Sequence, residues 1–337
     1  MKEKFLPQNG LEKMNQDQSS EVKNSENLEK KVQEKKGIEK VIVERGVVIP
    51  FEKLPPKSIA LDGYVEGPAI DVEGERFSFD HHAGCIRLFT RSTAQQVMDA
   101  LLLGFEPKDF TAYINDVDGD TTLAVWLLKN PEAVNNKFVR ELVESVGPID
   151  SHGPSYPPLN EQLVNVFYYG VMKPVVDLQR ARKYGEANLE ELLAVCLENI
   201  DKLIEGKFDY RLQEEKEPNF EITHQGDGWI MAKSDGYIFN ILYEKGYKRI
   251  VAYQEQSDGS IAYTIGKKSD LVKDFPIGPH NKPGTILYAL NQREPGWGGG
   301  STIGGAPRNS DGSRSRLAPD DVFQIVEKVV KSVKNKK

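Results

Sequence analysis

The strongest constraint in this sequence is a series of short apolar segments that each lead into an aspartate. The segments are residues 58–61, 77–79 and 111–114, with Ile149 as a shorter fourth, and the acids are Asp62, Asp80, Asp116 and Asp150. Helical segments separate them, and this alternation predicts an α/β fold with a doubly wound, mostly parallel sheet. Ligands of such sheets bind beyond the carboxyl ends of the strands. We therefore expect the four acids to lie at one edge of the sheet, on strand ends.

The segments between these acids carry helix signals. Ser92 or Thr93 can cap the first helix. We expect helices over residues 94–103, 121–128 and 138–146, ended by Gly104, by Asn130-Pro131 and by Gly147-Pro148 respectively. Residues 41–52, which precede the first acid, indicate two short strands or a hairpin.

The C-terminal half has a different pattern. Residues 158–210 are mostly helical in pattern, and strands follow over 228–234, 248–256 and 260–266. A last helix covers residues 319–330 and begins at Pro319, which suits a first helical turn. These elements predict a smaller α/β domain with a mixed sheet.

The pattern divides the chain into four parts. They are a tail (residues 1–38), a first α/β domain (39–160), a helical connector (161–218) and a second α/β domain (219–334). The tail is rich in Lys, Glu, Gln, Asn and Ser, which favours a disordered or loosely helical segment, with a partner-binding helix as the alternative.

Charge and cysteine content limit the function classes. The net charge of −7 argues against a protein that coats long duplex nucleic acid, which usually needs a basic face. No apolar run approaches the ~18 residues that span a bilayer, so we expect no membrane partner. Cys85 and Cys196 do not make a disulfide framework. Together these features favour the cytoplasm.

An adjacent pair of histidines, His81 and His82, follows Asp80. The pair is notable because the chain has only five histidines. A neutral imidazole is a good ligand for manganese or zinc, and a neighbouring carboxylate can orient it. Taken alone, this tripeptide also fits a pair of exposed loop histidines.

Three acids alternate in the run Asp116, Asp118 and Asp120. Their repulsion must be offset by a cation or by water. A calcium loop of the EF-hand type is excluded, because Thr121 replaces its glycine and Leu127 its final glutamate. A polar turn that caps the following helix is the open alternative.

Asp150 and His152 form a third pair, and Asp62 stands alone in the segment LDGYVEG. Each is weak by itself, and a turn with an aspartate cap explains the pair better than a metal site does. The combination is stronger, because two cations about 3.5–4 Å apart can activate water and hold a phosphoryl group. Such a centre needs several acids and one or two imidazoles, which this region supplies.

The chain resembles the DHH phosphoesterase superfamily in four motifs. FDHHAGCIRLFTRSTAQQVMDALL resembles the DHH motif and its helix, ALDGY the upstream strand-end aspartate, and NDVDGDTTLAVWLL the Asp-x-Asp segment. WGGGSTIGGAPR resembles the glycine-rich signature of the DHH-associated domain, after strands similar to RIVAYQEQSDGSIAYTIGKKS. The resemblance covers residues 57–155 and 223–316. Asp-x-Asp follows DHH here instead of preceding it, so either the motif order is rearranged or Asp116 or Asp118 stands for the later family aspartate. Ser301-Thr302 stands where the signature usually has a histidine.

This resemblance implies roles for single residues. It implies a first domain that binds two divalent cations, manganese or alternatively magnesium, and a second domain that binds substrate. The implied metal ligands are Asp62 (bridging), His81, Asp116, Asp118 and Asp150, with His152 as a replacement ligand. His82 would contact the substrate phosphate, Asp80 would support the histidines, and Asp120 would be either a ligand or a helix cap.

A glycine-rich segment near the C-terminus is the candidate substrate site. Its residues are Trp297, Gly298, Gly299, Gly300, Ser301 and Thr302, followed by Arg308, Arg314 and Arg316. Glycine backbone N–H groups can form a nest for an anion, arginines can bind phosphate, and Trp297 can stack on a base. A flexible surface loop is the alternative. We expect Arg308 to neutralise charge on the transferred group as well as to bind substrate.

The sequence thus predicts an enzyme that hydrolyses a phosphoester or phosphoanhydride in a small substrate. A short oligonucleotide, a dinucleotide or a nucleoside bisphosphate fits, and the chain could form a homodimer. An exonuclease on longer single strands is one alternative, although the negative charge counts against it. A non-catalytic metal- or nucleotide-binding regulator is the other.

Overall fold

The structure is a computed structural model. It describes residues 36–82, 84–86, 88–153, 156–208, 218–309 and 312–335. Apart from its last residues, the predicted tail lies outside the described part of the chain, and the predicted domain bounds stay a prediction. No helix among the described residues is long and apolar enough to cross a membrane.

The first sheet has five strands in the order β1-β5-β2-β4-β3. The strands are β1 (Lys40–Val43), β2 (Ser58–Leu61), β3 (Ala69–Asp71), β4 (Arg76–Phe79) and β5 (Thr111–Ile114). All neighbours are parallel except β3 and β4, which are antiparallel. The predicted strands at 58–61, 77–79 and 111–114 are therefore confirmed. Residues 41–52 do not form a hairpin, because β1 pairs with β5 and Ile49 only bridges to Val65.

Six α-helices accompany this sheet in the described residues. They are α1 (Thr93–Leu102), α2 (Gly119–Lys129), α3 (Lys137–His152), α4 (Glu161–Val166), α5 (Lys173–Arg180) and α6 (Leu189–Ile204). Side chains of these helices share one apolar core with Ile59 and Leu61 of β2. Because side chains alternate along a strand, Ala60 faces the other way and packs against Leu54 and Tyr64.

Helix α3 continues through Gly147 and Pro148, so the prediction that it ends there is wrong. Asp150 lies in the last turn of this helix and not at a strand end. Gly147 serves close packing instead of helix termination. A Cβ atom at this position would lie 2.6 Å from the Ser92 Oγ and 2.6 Å from the Gln95 Cγ. The glycine thus lets α3 lie directly against the start of α1.

The second sheet has six strands in the order β10-β11-β9-β8-β7-β6. The strands are β6 (Phe220–Gln225), β7 (Ile230–Ser234), β8 (Arg249–Glu255), β9 (Ile261–Lys267), β10 (Gly298–Gly299) and β11 (Ile303–Gly305), and the helices are α7 (Phe239–Glu244), α8 (Ile286–Asn291) and α9 (Pro319–Lys334). Only the β7–β8 pair is parallel. The α/β class, with a mostly parallel sheet followed by a mixed sheet, is therefore confirmed.

Candidate metal site

Neighbouring parallel strands place two aspartates side by side at the carboxyl edge of the first sheet. Leu61 of β2 pairs with Phe79 of β4, and each is followed by an acid, Asp62 or Asp80. Asp62 has a φ of 51°, in the left-handed region that costs a non-glycine residue about 1 kcal/mol or more. Its backbone N–H donates to the Phe79 carbonyl over 2.9 Å, which fixes this conformation.

Two helices hold the side chain of Asp62 through threonine hydroxyls. Thr93 Oγ1 donates to Asp62 Oδ1 over 2.8 Å, and Thr121 Oγ1 donates to Asp62 Oδ2 over 2.9 Å. Thr93 begins α1 and Thr121 lies in the first turn of α2. The carboxylate is therefore held in one orientation before any ligand binds.

His81 is fully buried among three carboxylates. Its Nε2 atom lies 2.6 Å from the Asp150 Oδ2, 3.3 Å from the Asp62 Oδ1 and 3.6 Å from the Asp120 Oδ2. One ligand atom from each of these four residues lies within 4.8 Å of the others. We call Asp62, His81, Asp120 and Asp150 the acid–histidine cluster.

Asp120 also binds backbone N–H groups at the beginning of α1. Its Oδ2 accepts a hydrogen bond from the Thr93 N–H over 2.6 Å, and its Oδ1 accepts one from the Ala94 N–H over 3.1 Å. The first N–H groups of a helix have no partner within the helix, so a carboxylate there is doubly favoured. The same side chain thus completes α1 and faces His81.

His82 lies at the more exposed side of the cluster, with 44% of its side chain exposed. Its Nδ1 lies 2.9 Å from the Asp80 Oδ1 and 3.5 Å from the Asp62 Oδ1. Asp80 is fully buried and also accepts from the backbone N–H groups of Gly67 and His82. Asp80 therefore orients the partly exposed imidazole of His82 from the buried side of the ring.

The closely spaced carboxylates and imidazoles shift one another's pKa values within the cluster. Burial lowers the pKa of His81, but hydrogen bonds with Asp150 and Asp62 outweigh it and raise that pKa to about 10. Burial and the charges of Asp150 and Asp62 raise the pKa of Asp120 to about 7. Burial also raises the pKa of Asp62, but hydrogen bonding to His81 and the charge of His82 bring it well below its ordinary value. Positive charge at this point relieves the repulsion between the acids.

A divalent cation fits the donor atoms of the cluster. Three carboxylate oxygens and one imidazole nitrogen are ligand types that bind metal ions, since hard cations take oxygen ligands and imidazole adds affinity for transition metals. A second group, Asp62, His81 and His82, also has its ligand atoms within 4.8 Å of one another. The two groups share Asp62 and His81, so the residues could hold metal at one or at two adjacent positions.

Three residues that the sequence nominates as ligands lie outside both groups in the described chain: Asp116, Asp118 and His152. Asp116 is exposed and accepts from the Tyr184 hydroxyl, while Asp118 caps α2 by accepting from the Thr121 N–H over 2.8 Å. The His152 ring lies 4.8 Å from that of Tyr156. Burial and the charges of Asp62 and Asp150 still raise the pKa of Asp118, so this acid is close enough to influence the cluster.

The glycine-rich segment forms a hairpin in place of an open nest. Gly298 and Gly299 pair with β11, and the Gly300 N–H donates to the Ile303 carbonyl over 2.8 Å. A Cβ atom on Gly299 would lie 2.3 Å from the Gly304 Cα. Ser301 Oγ donates to the Asp270 carboxylate, and the Thr302 carbonyl accepts from the Lys267 N–H. Close contact between two strands therefore explains Gly299, whereas a Cβ atom on Gly298 or Gly300 would meet no atom within 4 Å.

Trp297 cannot stack on a base, so that prediction is wrong. Its side chain is 1% exposed and belongs to the core of the second sheet. The indole N–H donates to the Glu294 carboxylate over 3.1 Å, and the ring lies 5.5 Å from that of Tyr263. A large apolar indole is strongly favoured inside a protein core, and the sequence alone does not distinguish a core tryptophan from one that stacks on a base.

The three arginines after the hairpin have different surroundings. Arg308 is exposed, whereas Arg314 is half-buried and donates to the Pro307 carbonyl over 3.4 Å. Arg316 donates to the Asp258 carbonyl and lies 3.9 Å from its carboxylate. Arg316 is therefore already paired with an acid.

Sequence reasoning left the role of Asp120 open and did not single out Thr121 or the contact of Thr93 with Asp62. The alternating acids nominate position 120, but the N–H groups that hold it belong to another helix, and no local pattern shows them. A search with known protein families finds no family model that matches the chain, and no curated protein matches it in sequence.

Proposed function

We propose that this chain is a metal-dependent phosphoesterase that hydrolyses a small phosphorylated substrate. The observation that supports it most is the acid–histidine cluster, in which four residues from separate parts of the chain offer ligand atoms within 4.8 Å of one another. Buried charge without a partner is costly, so a fold that gathers three buried or half-buried acids around an imidazole favours positive charge at that place, and a metal cation supplies it.

Asp62, His81, Asp120 and Asp150 would hold the cation. A bound divalent ion supplies Lewis acidity and lowers the pKa of coordinated water toward neutrality. Thr93 and Thr121 keep the Asp62 carboxylate in position for this task. Side chains that hydrogen-bond to metal ligands typically contribute about 10- to 100-fold to metal affinity or activity.

His82 would face the substrate. Its imidazole is partly exposed, and Asp80 holds the Nδ1 side, so the protonated ring can donate from Nε2 to a phosphoryl oxygen. The net charge of −7 favours short substrates over long nucleic acid strands. A short oligonucleotide, a dinucleotide or a nucleoside bisphosphate remains the proposed class, with manganese or magnesium as the proposed metal.

The decisive test is hydrolysis of a panel of small phosphoesters with added manganese. Asp150→Asn and His81→Ala each remove one ligand atom and are expected to lower activity at least 100-fold. Asp109→Asn and His280→Ala change exposed side chains outside both ligand groups and serve as matched controls. Equal activity of His81→Ala and His280→Ala would remove the cluster from the mechanism.

Two other results would change the proposal. Manganese binding without turnover of any member of the panel would favour a non-catalytic metal- or nucleotide-binding regulator. Activity that rises with oligonucleotide length would favour an exonuclease on longer single strands.

A further inference from the structure

Arg182 connects the helical part of the chain to the loop after the glycine hairpin. It follows Ala181, the C-cap of α5, and its Nη1 donates to the Gly312 carbonyl over 3.4 Å. Its φ of 57° is one that glycine normally takes after a helix. A Cβ atom on Gly312 would lie 2.8 Å from the Arg182 Nη1, so glycine there makes room for the guanidinium.

Two further arginines lie at the same place. Arg314 Nη1 donates to the carbonyl of Pro307, the residue before Arg308. Burial and then the charges of Arg308 and Arg182 lower the pKa of Arg314, so the three guanidinium groups are close enough to repel one another. Among the described residues, no acid forms an ion pair with any of the three, unlike Arg316 with its Asp258.

Like charges in one place are unfavourable unless an anion neutralises them. Three guanidinium groups offer many N–H donors in planar forks, which match the oxygens of a phosphate group better than a single carboxylate does. Backbone contacts to Gly312 and Pro307 hold two of the forks while leaving other N–H groups available.

We propose that Arg182, Arg308 and Arg314 form a binding site for a phosphate group. The segment after Arg182 also carries Tyr184, whose hydroxyl donates to Asp116 at the carboxyl edge of β5. On the proposed function, on which this assignment alone rests, the phosphate would be a second, non-reacting group of the substrate. Recognition of such a group would favour substrates with two phosphates over simple monophosphates.

The test measures phosphate binding by calorimetry on the full chain with EDTA present, so that the acid–histidine cluster does not contribute. Inorganic phosphate and a nucleoside 5′-monophosphate are the two probes. Arg182→Met, Arg308→Met and Arg314→Met are each expected to weaken binding at least 10-fold, since hydrogen bonds between charged partners carry about that much. Arg293→Met changes an exposed arginine outside every proposed site, is the matched control and is expected to bind within about twofold of wild type.

Arg182→Lys separates charge from fork geometry and should recover only part of the affinity, with circular dichroism confirming the fold of each variant. Wild-type-like binding by all three Met variants would overturn the site, whatever the hydrolysis assays give. Loss of binding in them would support the site even if no phosphoester is hydrolysed. Binding of the nucleotide but not of inorganic phosphate, still lost in the Met variants, would assign the site to substrate phosphate.

Discussion

Replacement of Gly147 by alanine should destabilise the protein, although alanine is the better helix former. The added Cβ atom would lie 2.6 Å from the Ser92 Oγ, whereas ordinary contacts lie at 3.4–4 Å. Overpacking of this kind costs about 1–3 kcal/mol, and disturbing the Ser92 cap of α1 costs about 1 kcal/mol more. The helix preference for alanine returns about 1 kcal/mol. We therefore expect a net loss of about 1–3 kcal/mol.

Urea and thermal unfolding measure this loss. A change of 1 kcal/mol shifts Tm by ~2–4 °C in domains of roughly this size. Gly185→Ala is the matched control, because no atom lies within 4 Å of the Cβ position there, and we expect it to change stability by less than about 0.5 kcal/mol. A Gly147→Ala protein as stable as Gly185→Ala would refute the close contact between α3 and α1.

Three further predictions follow from other contacts. Thr121→Val removes the hydroxyl that donates to the Asp62 Oδ2, so it should weaken manganese binding about 10- to 100-fold, and Thr121→Ser should restore the affinity. Calorimetry measures the affinity. An unchanged affinity in Thr121→Val would show that the hydroxyl does not position Asp62. Trp297→Ala should cost about 3–5 kcal/mol in urea unfolding, as expected for a 1% exposed indole; a loss below 1 kcal/mol would place that ring outside the core. Glu327→Gln should destabilise the protein at pH 7. Burial raises the pKa of Glu327, but hydrogen bonds from Trp229 and the Asp227 N–H outweigh burial and lower that pKa, so the ionised carboxylate stabilises the folded state. Since the folded pKa lies below 4.5, this stability is present above pH 4.5 and is lost as the pH falls further, so the two proteins should converge in acid.

The sheet edge could be predicted because the relevant information is local. Each of β2, β4 and β5 is a short apolar run that leads into an acid, and parallel strands bring their carboxyl ends together. That rule places Asp62 and Asp80 at the same edge of the sheet without any knowledge of the rest of the chain, but it does not show that β2 and β4 are neighbours. The class of fold follows from the same alternation.

The remaining members of the site depend on contacts between distant segments. Gly147 and Pro148 have the pattern of a helix end, yet α3 continues through them, and the missing side chain of Gly147 lets α3 pack against α1. Asp150 therefore reaches His81 from the last turn of α3. The glycine-rich segment shows the same limit. Glycine content predicts close backbone approach, but the partner turns out to be a neighbouring strand.

The dual contacts of Asp120 determine how the site can be dissected by mutation. Any substitution at position 120 removes a partner of the Thr93 and Ala94 N–H groups together with a side chain of the cluster. A loss of activity there would mix unfolding of a helix end with loss of chemistry. Asp150 is the cleaner position to change, because its carboxylate approaches His81 from the last turn of α3 and holds no helix start among the described residues.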